Sequence, residues 1–193
     1  SFANGLRAIL RQDPDTVMVG EIRDMETAEI AVQASLTGHL VLSTVHTNSA
    51  VAAITRLRDM GVEPFLLAST VKAILAQRLV RKLCDACKSP LPDTPELRAL
   101  LAIAPEEAVH FCQPTGCPAC NDTGYRGRIG IYELVRITAE LRRMIQDSAS
   151  EQDLEALAHQ ESETLASSGA RLVAEGLTTA EEILRVSKLG ADS

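Results

Sequence analysis

Tryptophan is absent and aromatic residues make up only 3% of the 193 positions, so the interior has to be built from Leu, Ile, Val and Ala rather than around large rings. No apolar run approaches the ~20 residues that a bilayer-spanning helix needs, and no secretory leader is recognisable. A basic excess is missing too: the formal net charge is −7. Residues 1–83 carry 9 basic and 8 acidic side chains, a balance of +1, whereas residues 84–193 carry 10 and 18, a balance of −8. That acidic second half argues against a nucleic-acid partner. What is present suffices for a fold, because 46% of the residues are hydrophobic and this length can bury one large or two small cores. Five cysteines, four of them in two CxxC pairs, fit a reducing, cytoplasmic setting better than a disulfide framework.

The stretch over residues 16–48 sets polar side chains at the ends of two apolar runs. Residues 16–20 (TVMVG) follow a turn-forming Asp13-Pro14-Asp15 and read as a buried strand with Glu21 at its C-terminal end. Residues 24–36 place Met25, Ala28 and Ala31 at three- and four-residue spacing, with Glu26, Glu29 and Gln33 opposite, which predicts an amphipathic helix. Residues 40–45 (LVLSTV) give a second strand, with His39 before it and His46 at its C-terminal end. Strand, helix and strand with short joins make a right-handed crossover, so the strands run parallel and Glu21 and His46 share the rim where open parallel sheets bind ligands. A carboxylate there suits Mg²⁺, held directly or through water, and an imidazole suits a terminal phosphate. A solvated strand end is the plainer reading of Glu21, and a hydrogen-bonded structural histidine that of His39.

Cys84-Asp85-Ala86-Cys87 and Cys117-Pro118-Ala119-Cys120 form the second signal. Each spacing brings two thiolates to one ion from a tight turn, and two such knuckles complete the closed four-sulfur shell of structural Zn²⁺. A closed shell has no open position, so this metal is assigned no catalysis. Cys112 is the odd thiol and reads as packing. Residues 74–83 and 128–137 alternate as a strand pair, the first in its second half, and an antiparallel hairpin of the two makes everything between them an insertion at its tip. Within that insertion, residues 95–103 and 106–109 look helical, and residues 123–128 read as a glycine-rich turn whose Arg126 and Arg128 are either solvated or a docking surface.

Elsewhere, residues 5–12 look helical. Asn48 or Ser49 can cap a helix whose inner face is Val51, Ala52, Ile54, Leu57 and Met60, and Arg56, Arg58 and Asp59 read as its solvated side. Glu63-Pro64 opens another short helix. The tail from Thr138 is helical and acidic, with N-caps expected at Thr138, Ser150 and Thr178, a stop at Gly176, fraying over residues 187–193, and acidic stripes that face solvent.

Two quoted segments carry a family resemblance: DPDTVMVGEIRD resembles the Walker B segment, and TGHLVLSTVHTN the histidine box, of the ATPases that drive type II secretion and type IV pilus assembly. The flanking GLRAILRQDPD and AVAAITRLRDMGVEPFLLAS look more like the type II secretion member, general secretion pathway protein E. The resemblance implies an α/β, RecA-like P-loop NTPase sheet, of which this is a C-terminal fragment from Walker B onward. It also implies a zinc-binding tetracysteine insertion, which pilus-retraction relatives lack, and a helical C-terminal subdomain. The implied division is ATPase core over residues 1–83, insertion over 84–125, returning core strand over 126–137 and helical subdomain over 138–193. By the resemblance Glu21 is the Walker B acid, His39 and His46 are the box histidines, and His46 is the one near the γ-phosphate. The family's cofactors are ATP and Mg²⁺, with structural Zn²⁺ on Cys84, Cys87, Cys117 and Cys120. The implied whole is a cytoplasmic homo-hexamer, peripheral to the inner membrane and its secretion-platform proteins, hydrolysing ATP to assemble a pseudopilus. No GxxxxGK[ST] run and no acidic box occur, so the chain alone is expected to be inactive. A type IV pilus assembly ATPase and a non-hydrolysing, zinc-tied docking module are the alternatives.

Overall fold

A computed structural model describes residues 2–47 and 49–188. In chain order the elements begin α1 (Phe2–Leu10), β1 (Thr16–Val19), α2 (Met25–Leu36), β2 (Leu40–Ser43), α3 (Ala52–Asp59), α4 (Pro64–Thr70) and β3 (Ala73–Leu83). They continue β4 (Ser89–Pro90), α5 (Pro95–Leu101), β5 (Cys112–Gln113), β6 (Tyr125–Arg136), α6 (Ala139–Gln146), α7 (Glu151–Glu161), α8 (Leu165–Ala174) and α9 (Ala180–Lys188). By contact the chain divides into two units, Ser1–Ile74 with Val135–Ser162 and Leu75–Leu134 with Glu163–Ser193. The acidic tail is therefore shared, α6 and α7 falling in the first unit and α8 and α9 in the second. No helix among the described residues is long and apolar enough to cross a membrane.

In the first unit β1 and β2 run parallel, pairing Thr16 with Leu40 through to Val19 with Ser43, as the crossover argument requires. The helix between them starts where Asp24 accepts the Thr27 N–H at 2.8 Å and buries Thr27, Ala28, Ala31, Val32 and Ala34. Met25, expected on that inner face, is 39% exposed. Val17 and Val19 point into the core, whereas Met18, Leu40 and Leu42 line up on the opposite face and are exposed. The core is aliphatic, as the dearth of aromatics demands: Leu6, Ile54, Leu67, Ile145 and Leu154 are all buried. Ser49 caps α3 by accepting the Ala52 N–H at 3.2 Å; Asn48 lies outside the described residues, as do residues 189–193, where fraying is expected. Arg58 is not simply solvated, because its guanidinium donates to the Ala149 carbonyl at 3.0 Å.

The second unit is built on β3 and β6, which pair with each other. Hydrogen bonds from Cys84 N–H to the Gly124 carbonyl at one end and from Ile137 N–H to the Lys72 carbonyl at the other fix the pair as antiparallel. All of Ala73–Leu83 is strand, not only its second half, and β6 starts at Tyr125, so Arg126 and Arg128 are strand residues rather than turn residues. Ile131 and Glu133 face inward while Tyr132 and Leu134 face out. Residues 106–109 form no helix: the chain closes only a single turn, Glu107 N–H donating to the Ala104 carbonyl at 3.1 Å, and Arg98 braces it by donating to the Ala104 carbonyl at 2.5 Å and the Glu107 carbonyl at 3.0 Å. The cap of α9 is Thr179, whose hydroxyl accepts the Glu182 N–H at 3.4 Å. Thr178 is buried and donates instead to the Arg81 carbonyl at 2.8 Å.

Candidate functional site

Beyond the C-terminal ends of β1 and β2 the parallel pairing brings Glu21 and His46 together, Glu21 Oε2 lying 3.0 Å from His46 Nε2. The other carboxylate oxygen, Oε1, is held by Arg23. The Arg23 hydrogen bond, supported by its charge and by His46, holds the Glu21 carboxyl below its ordinary value against the effect of burial. The side chain of Glu21 is 14% exposed, while those of Arg23 and His46 are 68% and 88% exposed. Both partners can therefore swing away without unpacking the core, leaving a carboxylate free for a cation. Thr44 lies just past β2, and its hydroxyl donates to the Gly20 carbonyl at 2.7 Å. His39 sits at the opposite end of β2, its Nδ1 3.0 Å from the Ala34 carbonyl and 3.1 Å from the Thr37 hydroxyl, where it fastens the last turn of α2.

In the second unit the four thiols of Cys84, Cys87, Cys117 and Cys120 lie within 4.8 Å of one another. Three Sγ separations are 4.0 Å for Cys84 with Cys117, 3.8 Å for Cys87 with Cys120 and 3.8 Å for Cys117 with Cys120. A tetrahedron with metal–sulfur bonds of about 2.3 Å has edges of about 3.8 Å, so these residues fit a single tetrathiolate ion. All are free thiols. Burial raises both Cys87 and Cys120. Cys87 reaches about 11, but Cys120 accepts the N–H groups of Cys117 at 3.3 Å and Gly124 at 3.2 Å and is brought down to about 7. Gly124 makes that approach with φ at +75° and a bare Cα, since a Cβ there would lie 2.4 Å from Pro114.

The base of this cysteine segment is gripped by residues 174–182 of the tail. His110 N–H donates to the Ala174 carbonyl at 2.6 Å, Lys88 Nζ to the Gly176 carbonyl at 3.0 Å and Leu83 N–H to the Leu177 carbonyl at 2.8 Å. Gly176 has φ at +67°, and a Cβ there would meet the His110 carbonyl at 2.6 Å and Cys112 Sγ at 2.8 Å. At the end of the grip, the carboxylate of Glu182, 1% exposed, accepts bonds of 2.7–2.9 Å from the backbone N, Nε and Nη2 of Arg81 and of 3.3 and 2.9 Å from Arg185. The Arg81 guanidinium also stacks 4.1 Å over the Tyr125 ring. The acidic stripe of α9 is thus not all solvated. The available signal was the three- and four-residue spacing that puts Glu182 on one stripe with Thr179 and Val186.

Residues 1–185 match the sequence profile of a family described as Type II/IV secretion system protein. Over 188 residues the chain is 57% identical to Type II secretion system protein E of Pseudomonas aeruginosa, covering 97% of this chain and 38% of that protein. It is 54% identical over 188 residues to Type II secretion system ATPase E of Vibrio cholerae, covering 97% and 37%. Among solved structures it is similar to the pilus retraction motor PilT with bound ADP, with a TM-score of 0.67, 29% identity and coverage of 97% of this chain and 43% of that one. For the Yersinia pseudotuberculosis ATPase DotB the values are 0.70, 23%, 98% and 41%. The chain spans about two fifths of the length of the curated relatives it matches.

Proposed function

Because the chain belongs to the Type II/IV secretion system protein family, we propose that it is the Walker B and histidine-box part of a motor ATPase that drives type II protein secretion. Its α/β fold, with RecA-like sheet strands and a helical last part, is the one its structural neighbours share, and this chain carries within it a cluster of four cysteines. The observation that carries the reading is the carboxylate–imidazole pair of Glu21 and His46, at 3.0 Å on the C-terminal rim of two parallel strands. Bound Mg-ATP would supply the phosphoryl group that is transferred to water. In this reading Glu21 gives up its contacts with Arg23 and His46 to hold the cation's shell and orient water, and His46 turns to the terminal phosphate. The general base lies elsewhere in a longer protein. Parallel sheets are ordinarily covered on both faces, so the exposed Met18, Leu40 and Leu42 support a sheet completed by other segments. Zn²⁺ on Cys84, Cys87, Cys117 and Cys120, a homo-hexameric assembly and docking on inner-membrane secretion proteins belong to the same proposal.

Two outcomes test it. This chain purified alone gives no Mg-ATP turnover above blank, since it has no GxxxxGK[ST] loop to cradle phosphates; sustained turnover from it sinks the proposal. In the complete protein, Glu21→Gln lowers kcat by roughly a hundredfold with nucleotide affinity kept within a few-fold. Equal rates for the two forms move the functional centre to the cysteine segment and favour a docking module that does not hydrolyse ATP.

A further inference from the structure

Glu21 lies just beyond the last registered pair of the parallel ladder, Val19 with Ser43. A carboxylate in such a place is aimed only as well as its two flanking peptide groups are fixed, because their planes set the direction of its Cα–Cβ bond. Both flanks are fixed by one residue. The Thr44 hydroxyl donates to the carbonyl of Gly20 at 2.7 Å, and the Thr44 carbonyl accepts the N–H of Ile22 at 2.9 Å. Ile22 is buried, which gives the second bond a firm footing, whereas Gly20 has no side chain of its own to pack and relies on the hydroxyl. His46 follows two residues later, so the backbone that brackets Glu21 also delivers the imidazole to it.

We propose that Thr44 is a positioning residue for the chemistry at Glu21, its hydroxyl and carbonyl clamping the peptide groups on either side. The inference rests on the reading of Glu21 as the residue that works on Mg-nucleotide. A hydroxyl at this position is required, and the methyl group of threonine is not. Thr44 itself touches neither nucleotide nor cation; it sets the angle from which the carboxylate reaches them.

The test is steady-state ATPase kinetics of the complete protein with Thr44→Val, Thr44→Ala and Thr44→Ser beside Glu21→Gln. Removing the hydroxyl lowers kcat roughly tenfold and leaves KM for Mg-ATP within about twofold, since binding of nucleotide is not what the clamp supplies. Alanine matches valine, so added apolar bulk is not the cause, and serine recovers most of the loss. Wild-type kcat in the valine and alanine variants, with Glu21→Gln inactive, overturns the clamp alone. A loss that serine does not recover overturns it too, by pointing to packing of the methyl group. Full activity of Glu21→Gln brings down the reading of Glu21 and the clamp with it.

Discussion

Cys120→Ser is expected to take the bound zinc from about one ion per chain to below about a tenth and to unfold the unit that contains it. Cys120 is buried and is the thiol drawn toward the anion, because its sulfur accepts two backbone N–H groups. A serine oxygen is shorter, harder and not ionised at neutral pH, so the tetrahedron loses a corner. In small zinc domains the metal contributes about 10–16 kcal/mol of apparent binding energy at neutral pH, and whole domains are stable by only about 5–15 kcal/mol. The second unit is small and the four thiols tie its two strands together at the end where the insertion begins, so losing a bound ion would remove more than packing can replace. Metal analysis and hydrogen exchange read this together. Protection falls around Val80, Ile131 and Val173 and persists through β1, α2 and β2 of the other unit. Retained zinc in the variant sinks the tetrathiolate assignment, and lost zinc with unchanged protection sinks the structural role.

The second large effect is expected from Glu182→Ala. Taking one partner from a buried ion pair leaves groups placed for a charge that is gone, at a cost of about 3–5 kcal/mol. Arg81 and Arg185 are about half exposed, so water can take up part of that loss and the lower end applies. The same carboxylate sets an acid limb. Burial pushes Glu182 up, but the hydrogen bonds of Arg81 and Arg185 overcome it and bring the group from 4.5 down to about 2. A carboxyl depressed on folding stabilises fully above its unfolded value. It therefore contributes about 3 kcal/mol above pH ~4.5 and loses that between pH ~4.5 and ~2. Urea unfolding followed across that window should show the wild-type slope flattened in Glu182→Gln. Equal stability and equal slope in the two proteins dispose of the argument.

The strand-end pair is legible in the sequence because two short apolar runs joined by one amphipathic helix make a crossover between parallel strands, and the shared strand direction puts Glu21 and His46 on one rim. The thiol cluster is legible for a similar reason: two CxxC turns, one at the end of β3 and one shortly before β6, are brought together as soon as those strands pair. Thr44 is not, because LVLSTV reads as unbroken strand, whereas the ladder stops at Ser43 and frees the next hydroxyl for Gly20. His39 could be placed at the far end of the strand, but its bonds to the end of α2 depend on ring orientation, which periodicity does not report. The division of the tail is the least legible feature. The helices α6 to α9 all start at a threonine or serine cap, and what assigns α9 to the cysteine-bearing unit are partners such as Arg81, 101 residues from Glu182, and the Arg81 carbonyl, 97 residues from Thr178, while α8 is held by Ser168, which accepts the Tyr132 N–H from 36 residues away. Contacts at that separation leave no local trace.

That separation also orders events in time. A ribosome adding about 5–20 residues per second needs several seconds to travel from Arg81 to Glu182, 101 residues on. All four thiols leave the exit tunnel before the helix that seals their base has been made. During that interval the newborn hairpin has its four thiols but no clasp, so an ion could be taken up before α9 docks. Arg81, already made, meanwhile has no carboxylate to meet.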